Sequence, residues 1–310
     1  MTVNILIQTS RLLNLNIGSS KLENYLPTCD LKWRQKNLWV KNISGQDGYN
    51  FPALTRKQWL EKCLYNSWLK RVCIDPELGE KSIKLWADTC EQAEKPIFLR
   101  IPSNNRLASY RQSMYWKLKR FFDWLSATIL LLILSPLMLL VALLIKIDTP
   151  GPVFYCQWRV GTRGQLFKIY KFRTMIVDAE LRHNEIMKAQ AGLHKIKDDP
   201  RITLIGRWLR KYSIDELPQL INVLKGEMSL VGPRPWALYD ALRLGKLGKQ
   251  RLNALPGITG AWQVESRSNL LDLNDVTKCD LEYLYSWSLI SDIKILLLTM
   301  PKVIAGFGAY

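Results

Sequence analysis

The sequence predicts a mainly helical α+β protein: a monotopic membrane protein held by one kinked, re-entrant helix. A short β-hairpin and interfacial amphipathic helices accompany that helix, and a small α+β domain precedes it. Three observations predict this: an uncharged apolar run from Leu125 to Ile145, basic residues on both of its flanks, and two β-like runs joined by Gly161-Thr-Arg-Gly164. The chain has 310 residues, 48% hydrophobic and 23% charged, which suits one large or two medium domains. That balance excludes a disordered chain and a polytopic transporter.

The first element is a domain over residues 1–111, polar and basic, with short apolar runs at Val3–Ile7, Leu38–Val40 and Ile97–Ile101. Between them Trp59, Leu60, Cys63, Leu64, Trp68 and Val72 fall on one helical face of the stretch Thr55–Val72. Pro102-Ser-Asn-Asn105 reads as loop and boundary. No reactive constellation marks this domain, so its role stays open.

The second domain, 112–310, begins with the membrane helix, placed at about 121–147. At about 1.5 Å per residue its apolar run matches the roughly 30 Å of a bilayer core. Ser135-Pro136 lies near the centre. Proline removes an amide donor and clashes with the Leu132 carbonyl, and the Ser135 hydroxyl can satisfy that carbonyl. Net charge is +10 over residues 1–120 and +8 over 151–310, with Lys117, Lys119 and Arg120 on one flank and Lys146 and Arg159 on the other. A straight span would put one basic flank outside, against the positive-inside bias, so a helix entering and leaving by one face is expected. Tyr115, Trp116, Trp124, Tyr155 and Trp158 suit the interface.

Beyond it, Val153–Val160 and Leu166–Phe172 form the hairpin. Val177–Gln190 looks helical, and Ile202, Ile205, Trp208 and Leu209 line a helix whose other face carries Arg201, Arg207, Arg210 and Lys211. That pattern fits a basic helix in a membrane interface or a surface helix on a soluble core. Near the end, Ser291-Asp292 can cap an apolar helix that is too short to span.

The net charge of +17 suits nucleic acid, anionic lipid or a phosphorylated ligand. Nucleic acid is not expected, because the basic residues surround a lipid-buried segment and no base-reading module is visible. Six cysteines without a CxxC pair, and only His183 and His194, predict neither a zinc site nor a disulfide framework. No signal peptide is expected from the first residues.

The chemistry concentrates in Arg210–Gly226. Asp215 and Glu216 are adjacent carboxylates just before a helix that Pro218 can open and Gly226 can close. Two readings stand together. Ser213-Ile-Asp-Glu216 has the form of a capping box, and the same carboxylates, amid Arg210, Lys211 and Arg234 of Gly232-Pro-Arg-Pro235, could attack a diphosphate. Lys168, Lys171 and Arg173 could bind phosphate or lie on a solvated strand near anionic lipid.

Lys119-Arg-Phe-Phe-Asp123, Leu134-Ser-Pro136, Pro150-Gly-Pro-Val-Phe154, Arg159-Val-Gly161 and Phe167–Met175 are followed in order by four further motifs. These are Asp198-Asp-Pro-Arg-Ile202, Asp215-Glu-Leu-Pro-Gln-Leu220, Met228–Pro235 and Pro256-Gly-Ile-Thr-Gly260. From about Tyr115 to Tyr310 the chain thereby resembles the bacterial sugar transferase family, the monotopic polyprenyl-phosphate phosphoglycosyl transferases. The resemblance implies transfer of a sugar 1-phosphate from a UDP-sugar to undecaprenyl phosphate through an aspartyl phosphosugar, with UMP released. This would start exopolysaccharide or glycan assembly at the cytoplasmic face of the bacterial inner (plasma) membrane. It implies Asp215 as nucleophile and Mg²⁺ ligand, Glu216 as base or orienting group, and Arg210 as a phosphate ligand, with Arg234, Lys171 and Arg173 also binding substrate. Ser135 and Pro136 would be the helix break. The partners implied are the UDP-sugar, undecaprenyl phosphate and membrane lipids; a homodimer stays open. About 110 polar residues stand where larger relatives often carry transmembrane helices. The reading from another class is a catalytically silent, membrane-anchored adaptor in which Asp215-Glu216 only caps a helix.

Overall fold

The computed structural model describes residues 29–42, 57–102, 114–179, 199–265 and 273–305. The expected run Val3–Ile7, the start of the amphipathic stretch at Thr55, most of the helix expected over Val177–Gln190, Asp198 and both histidines lie outside the described residues. The chain divides into two units, Met1–Arg100 and Ile101–Tyr310.

In the first unit, strands β1 (Cys29–Arg34), β2 (Asn37–Asn42), β3 (Arg71–Ile74) and β4 (Ile97–Leu99) form one sheet in that order. β1 and β2 are an antiparallel hairpin; β2, β3 and β4 run parallel, joined through helices α1 (Lys57–Tyr65) and α2 (Gly79–Gln92). Alternate residues Leu38, Val40, Val72, Ile74, Ile97 and Leu99 are buried, as are Leu60, Leu64, Ile83 and Trp86 of the helices. The helical face expected to reach Val72 stops at Tyr65. Ser67 Oγ donates to the Leu64 carbonyl at 2.5 Å, and Val72–Ile74 is taken as a strand between two parallel neighbours. Trp68, placed on that face by periodicity, is 83% exposed.

The second unit opens with α3 (Met114–Asp148), a 35-residue helix that continues through Pro136. Ser135 Oγ donates to the Leu132 carbonyl at 2.9 Å, replacing the amide bond that proline removes. Only 11% of its most apolar window is buried, so Leu132, Ile133, Leu139, Leu140 and Leu143 face outward. By length and composition this helix can anchor in a membrane.

Next come the hairpin strands β5 (Phe154–Val160) and β6 (Leu166–Phe172), paired over their full lengths, with Arg163 and Gly164 at positive φ in the turn. Helix α4 (Leu204–Lys211) is capped by Thr203, whose side chain accepts from Gly206 N. It exposes Leu204 and Trp208 and buries Leu209. Helix α5 (Gln219–Leu224) follows Pro218 and is closed by Gly226 at φ 81°, as the sequence predicts. Strands β7 (Ser229–Val231) and β8 (Gly257–Thr259) pair in parallel. The remaining helices are α6 (Leu238–Arg243), α7 (Lys246–Arg251), α8 (Ala261–Glu265), α9 (Leu273–Tyr285) and α10 (Leu289–Ile304).

Both halves of α3 are fastened to this unit. Before Pro136, Lys119 Nζ donates to Asp292 Oδ2 at 2.6 Å and to the Val231 carbonyl at 3.0 Å. Asp123 accepts from Ser229 Oγ and Leu230 N, and Ala127 packs among Leu220, Val223 and Met228. After it, Leu137, Val141 and Ile145 pack with Phe172, Leu209 and Leu217. Lys119, counted above as a flanking surface charge, is therefore a buried ion-pair member. Asp292, proposed as part of the α10 cap, is its partner and also accepts from Tyr283 Oη and Trp287 Nε1. Ser288 and Ser291 cap α10 instead, each side chain bonding the other's backbone N–H. Trp158, expected at the interface, is buried with the Lys168 ammonium 5.1 Å over its ring.

Gly206 fixes how closely α4 approaches the segment that follows β6: a Cβ there would lie 2.1 Å from the Thr174 carbonyl oxygen. Gly206→Ala is expected to destabilise by about 1–3 kcal/mol through overpacking, read as a lower unfolding midpoint in a thermal melt.

Candidate active site

Four elements deliver the site. The residues after α4 turn back through Ser213 at φ 55° into a 3₁₀ turn, Ile214–Glu216, that carries both carboxylates. β6 brings Lys171, α4 brings Arg210, and the Gly232–Pro235 loop after β7 brings Arg234. Asn222, fully buried in α5, locks the first of these relationships: its Oδ1 accepts from Tyr170 N at 3.0 Å, and its Nδ2 donates to the Lys168 carbonyl at 2.7 Å. This holds β6 beside the turn. Asn222 was not singled out by sequence reasoning, although an amide on the buried face of an apolar helix is a readable signal.

Lys171 Nζ donates to Glu216 Oε1 at 2.7 Å and lies 3.9 Å from Asp215 Oδ2. Arg234 Nη2 donates to the same Glu216 Oε1 at 2.9 Å. Arg210 Nε donates to Thr174 Oγ1 at 2.9 Å, and the charges of Arg210 and Asp215 favour one another. The capping box is not formed: the Ser213 side chain makes no cap hydrogen bond, and its left-handed backbone is not that of an N-cap. The dipole of α5 adds little here, because that helix is only six residues long. The field comes from the cations.

Arg173 stands apart from the others. Its two terminal nitrogens donate to the Pro150 and Thr149 carbonyls and to Thr149 Oγ1, tying the end of β6 to the end of α3. Asp199 and Arg201 also pair with each other, at 2.6 Å.

Asp215 is 9% exposed, and among the described residues its carboxylate accepts no hydrogen bond. Burial pushes its carboxyl above the usual carboxylate range; Lys171 opposes this, Glu216 adds to it, and Arg210 and Arg234 oppose it. Burial pushes Lys171 down, against the pull of Glu216. The result is a mostly buried carboxylate that accepts no hydrogen bond among the described residues and is ringed by positive charge, an arrangement suited to attack on phosphorus. Three cations face two carboxylates, leaving one positive charge in excess, so a bound diphosphate would overfill the site with negative charge. A hard divalent cation fits that deficit. Mg²⁺ takes one or two protein carboxylates and fills its other positions with phosphate oxygens and water. Asp215 has oxygens to give, whereas Glu216 Oε1 is occupied by Lys171 and Arg234.

A family model described as bacterial sugar transferase matches residues 114–306. The chain is 47% identical over 198 residues to galactosyl transferase CpsE of Streptococcus agalactiae serotype III, covering 62% of this chain and 43% of CpsE. It is 42% identical over 202 residues to the exopolysaccharide production protein ExoY of Sinorhizobium fredii, covering 62% of this chain and 88% of ExoY. It is also 40% identical over 203 residues to the UDP-glucose:undecaprenyl-phosphate glucose-1-phosphate transferase of Escherichia coli K12, covering 62% and 41% respectively. The chain thus spans about two fifths of the length of the first and third of these relatives.

Proposed function

Because the chain belongs to the bacterial sugar transferase family, we propose that it transfers a sugar 1-phosphate from a UDP-sugar to undecaprenyl phosphate, as the E. coli relative's name describes for glucose. The product would begin an exopolysaccharide or glycan chain. The observation that carries this is the Asp215 carboxylate, mostly buried yet accepting no hydrogen bond among the described residues, inside the cluster of Lys171, Arg210 and Arg234.

In this reading an Asp215 oxygen attacks the β-phosphorus of the UDP-sugar. The bond from that phosphorus to the bridging oxygen breaks, and UMP departs with the electron pair, leaving an aspartyl phosphosugar. A phosphate oxygen of undecaprenyl phosphate then attacks the same phosphorus and displaces Asp215 as carboxylate. Lys171, Arg210 and Arg234 hold the equatorial oxygens, whose charge grows in each transition state. Asp215 would hold Mg²⁺, which would supply neutralisation of charge on the leaving phosphate. Neither nucleophile carries a proton that must be removed, since one is a carboxylate and the other a phosphate monoester with a second pKa of about 6. Glu216, saturated on Oε1 by two cations, then serves to orient Lys171 and Arg234 rather than as a base.

The same reading places α3 as a re-entrant helix at the cytoplasmic face. Its support is that segments on both sides of Pro136 pack on one unit, which favours a helix that enters and leaves by one face. The exposed apolar faces of α4 and α10, with Leu204, Trp208, Ile290, Ile293 and Leu297, suit the same interface. Tags fused before Met1 and after Tyr310 are expected to resist protease added outside intact spheroplasts; digestion of one tag alone would show a straight span.

The reaction is tested by nucleotide release from the purified protein with Mg²⁺, undecaprenyl phosphate and a panel of UDP-sugars that includes glucose and galactose. UMP is expected. UDP would mean ordinary glycosyl transfer and would sink the mechanism.

A further inference from the structure

The loop that presents Arg234 contains Pro233 and Pro235, which have no amide hydrogen, so its backbone must be held by its carbonyls. Four successive carbonyls are each held from outside the loop. Pro233 O accepts from Gly257 N at 3.0 Å and Trp236 O from Val160 N at 3.3 Å. Between them Arg234 O accepts from Arg251 Nη2 at 2.8 Å and Pro235 O from Arg159 Nη1 at 3.2 Å. The outer two donors belong to strands; the inner two are guanidinium groups.

Arg251 is almost fully buried at the end of α7, and its Nε donates at 2.6 Å to Asp280 of α9, which is fully buried. Its guanidinium also stacks over the Trp236 ring, 4.8 Å from the centroid. Among the described residues, one Asp280 oxygen has no hydrogen-bond partner. An incompletely satisfied buried pair is a poor source of stability compared with apolar side chains of similar volume. What this pair does hold is the backbone of Arg234, whose side chain completes the cluster on Glu216.

We infer that Arg251 and Asp280 are positioning residues that set Arg234 against Glu216 through the Arg234 carbonyl; the consequence for turnover rests on the phosphosugar-transfer reading. Removing Arg251 alone would strand a buried carboxylate, so the informative variant replaces both partners, Arg251→Met with Asp280→Leu. Arg251→Lys is its companion: it keeps a cation opposite Asp280 but lacks the fork that reaches both acceptors.

Full-length wild type, both variants, Arg234→Ala and the triple variant are compared for donor KM and kcat and for amide exchange at Arg234 and Trp236. The double variant is expected to melt near wild type, to exchange at Arg234 and Trp236 about tenfold faster, and to raise donor KM about tenfold with a smaller change in kcat. Adding Arg234→Ala should cost nothing further, because both changes remove one interaction. Arg251→Lys should raise KM about threefold and speed exchange in the same segment. Wild-type exchange and KM in a folded double variant, or strictly additive losses in the triple, would overturn the inference. If the double variant does not fold, unchanged KM and exchange in Arg251→Lys would do the same. Should wild type release no nucleotide from any donor, the transfer reading fails, and exchange at Arg234 and Trp236 still decides the positioning role.

Discussion

Asp215→Asn is expected to lower nucleotide release by at least ~10³-fold while the protein still partitions with membranes, because in the proposed mechanism it removes the attacking oxygen and nothing that anchors the fold. Asparagine is nearly isosteric, and the carboxylate it replaces accepts no hydrogen bond among the described residues. The unfolding midpoint at pH 7 is expected not to fall. Burial raises the folded-state carboxyl above its unfolded value, so the native state binds that proton more tightly. Its contribution favours folding at low pH and is lost as pH rises from the unfolded value through the raised one, leaving a cost at neutrality. In the proposed mechanism only ionised Asp215 attacks, so the acid limb of the wild-type rate profile is expected above the usual carboxylate range. Full activity in Asp215→Asn would mean that another group is the nucleophile.

Glu216→Gln is expected to reduce turnover on the order of 10²-fold and to move the acid limb to lower pH. Without the Glu216 charge, Lys171 and Arg234 lose their shared anion, and Lys171, already 3.9 Å from Asp215, can close on it and hold the nucleophile in an ion pair. The limb moves down because Glu216 is one of the groups that raise the Asp215 carboxyl. A general base at this position would give a different result: its loss would remove an ionisation from the profile rather than displace one. A pH–rate series for the two proteins distinguishes the outcomes.

Elements whose signal is local were legible from the residues. The apolar run, the Ser135 hydroxyl on the Leu132 carbonyl, the Phe154–Phe172 hairpin and the Pro218 to Gly226 brackets of α5 all appear where periodicity and turn chemistry put them. Boundaries failed where tertiary pairing competed with a helical face, as at Val72 in β3.

Side-chain partnerships across long sequence separations were not legible. Lys171 meets Glu216 from 45 residues away, Arg234 from 18, and Lys119 finds Asp292 across 173. Arg173 lies two residues after Lys171 yet turns to the end of α3. By itself the sequence determined the long apolar helix, the hairpin and the adjacent carboxylates before a short helix, because each is written in spacings of one to four residues. Only the tertiary structure decided which cations surround Asp215 and which serve as struts. A buried charge takes the partner that packing brings within about 3 Å, and packing is a property of the whole unit.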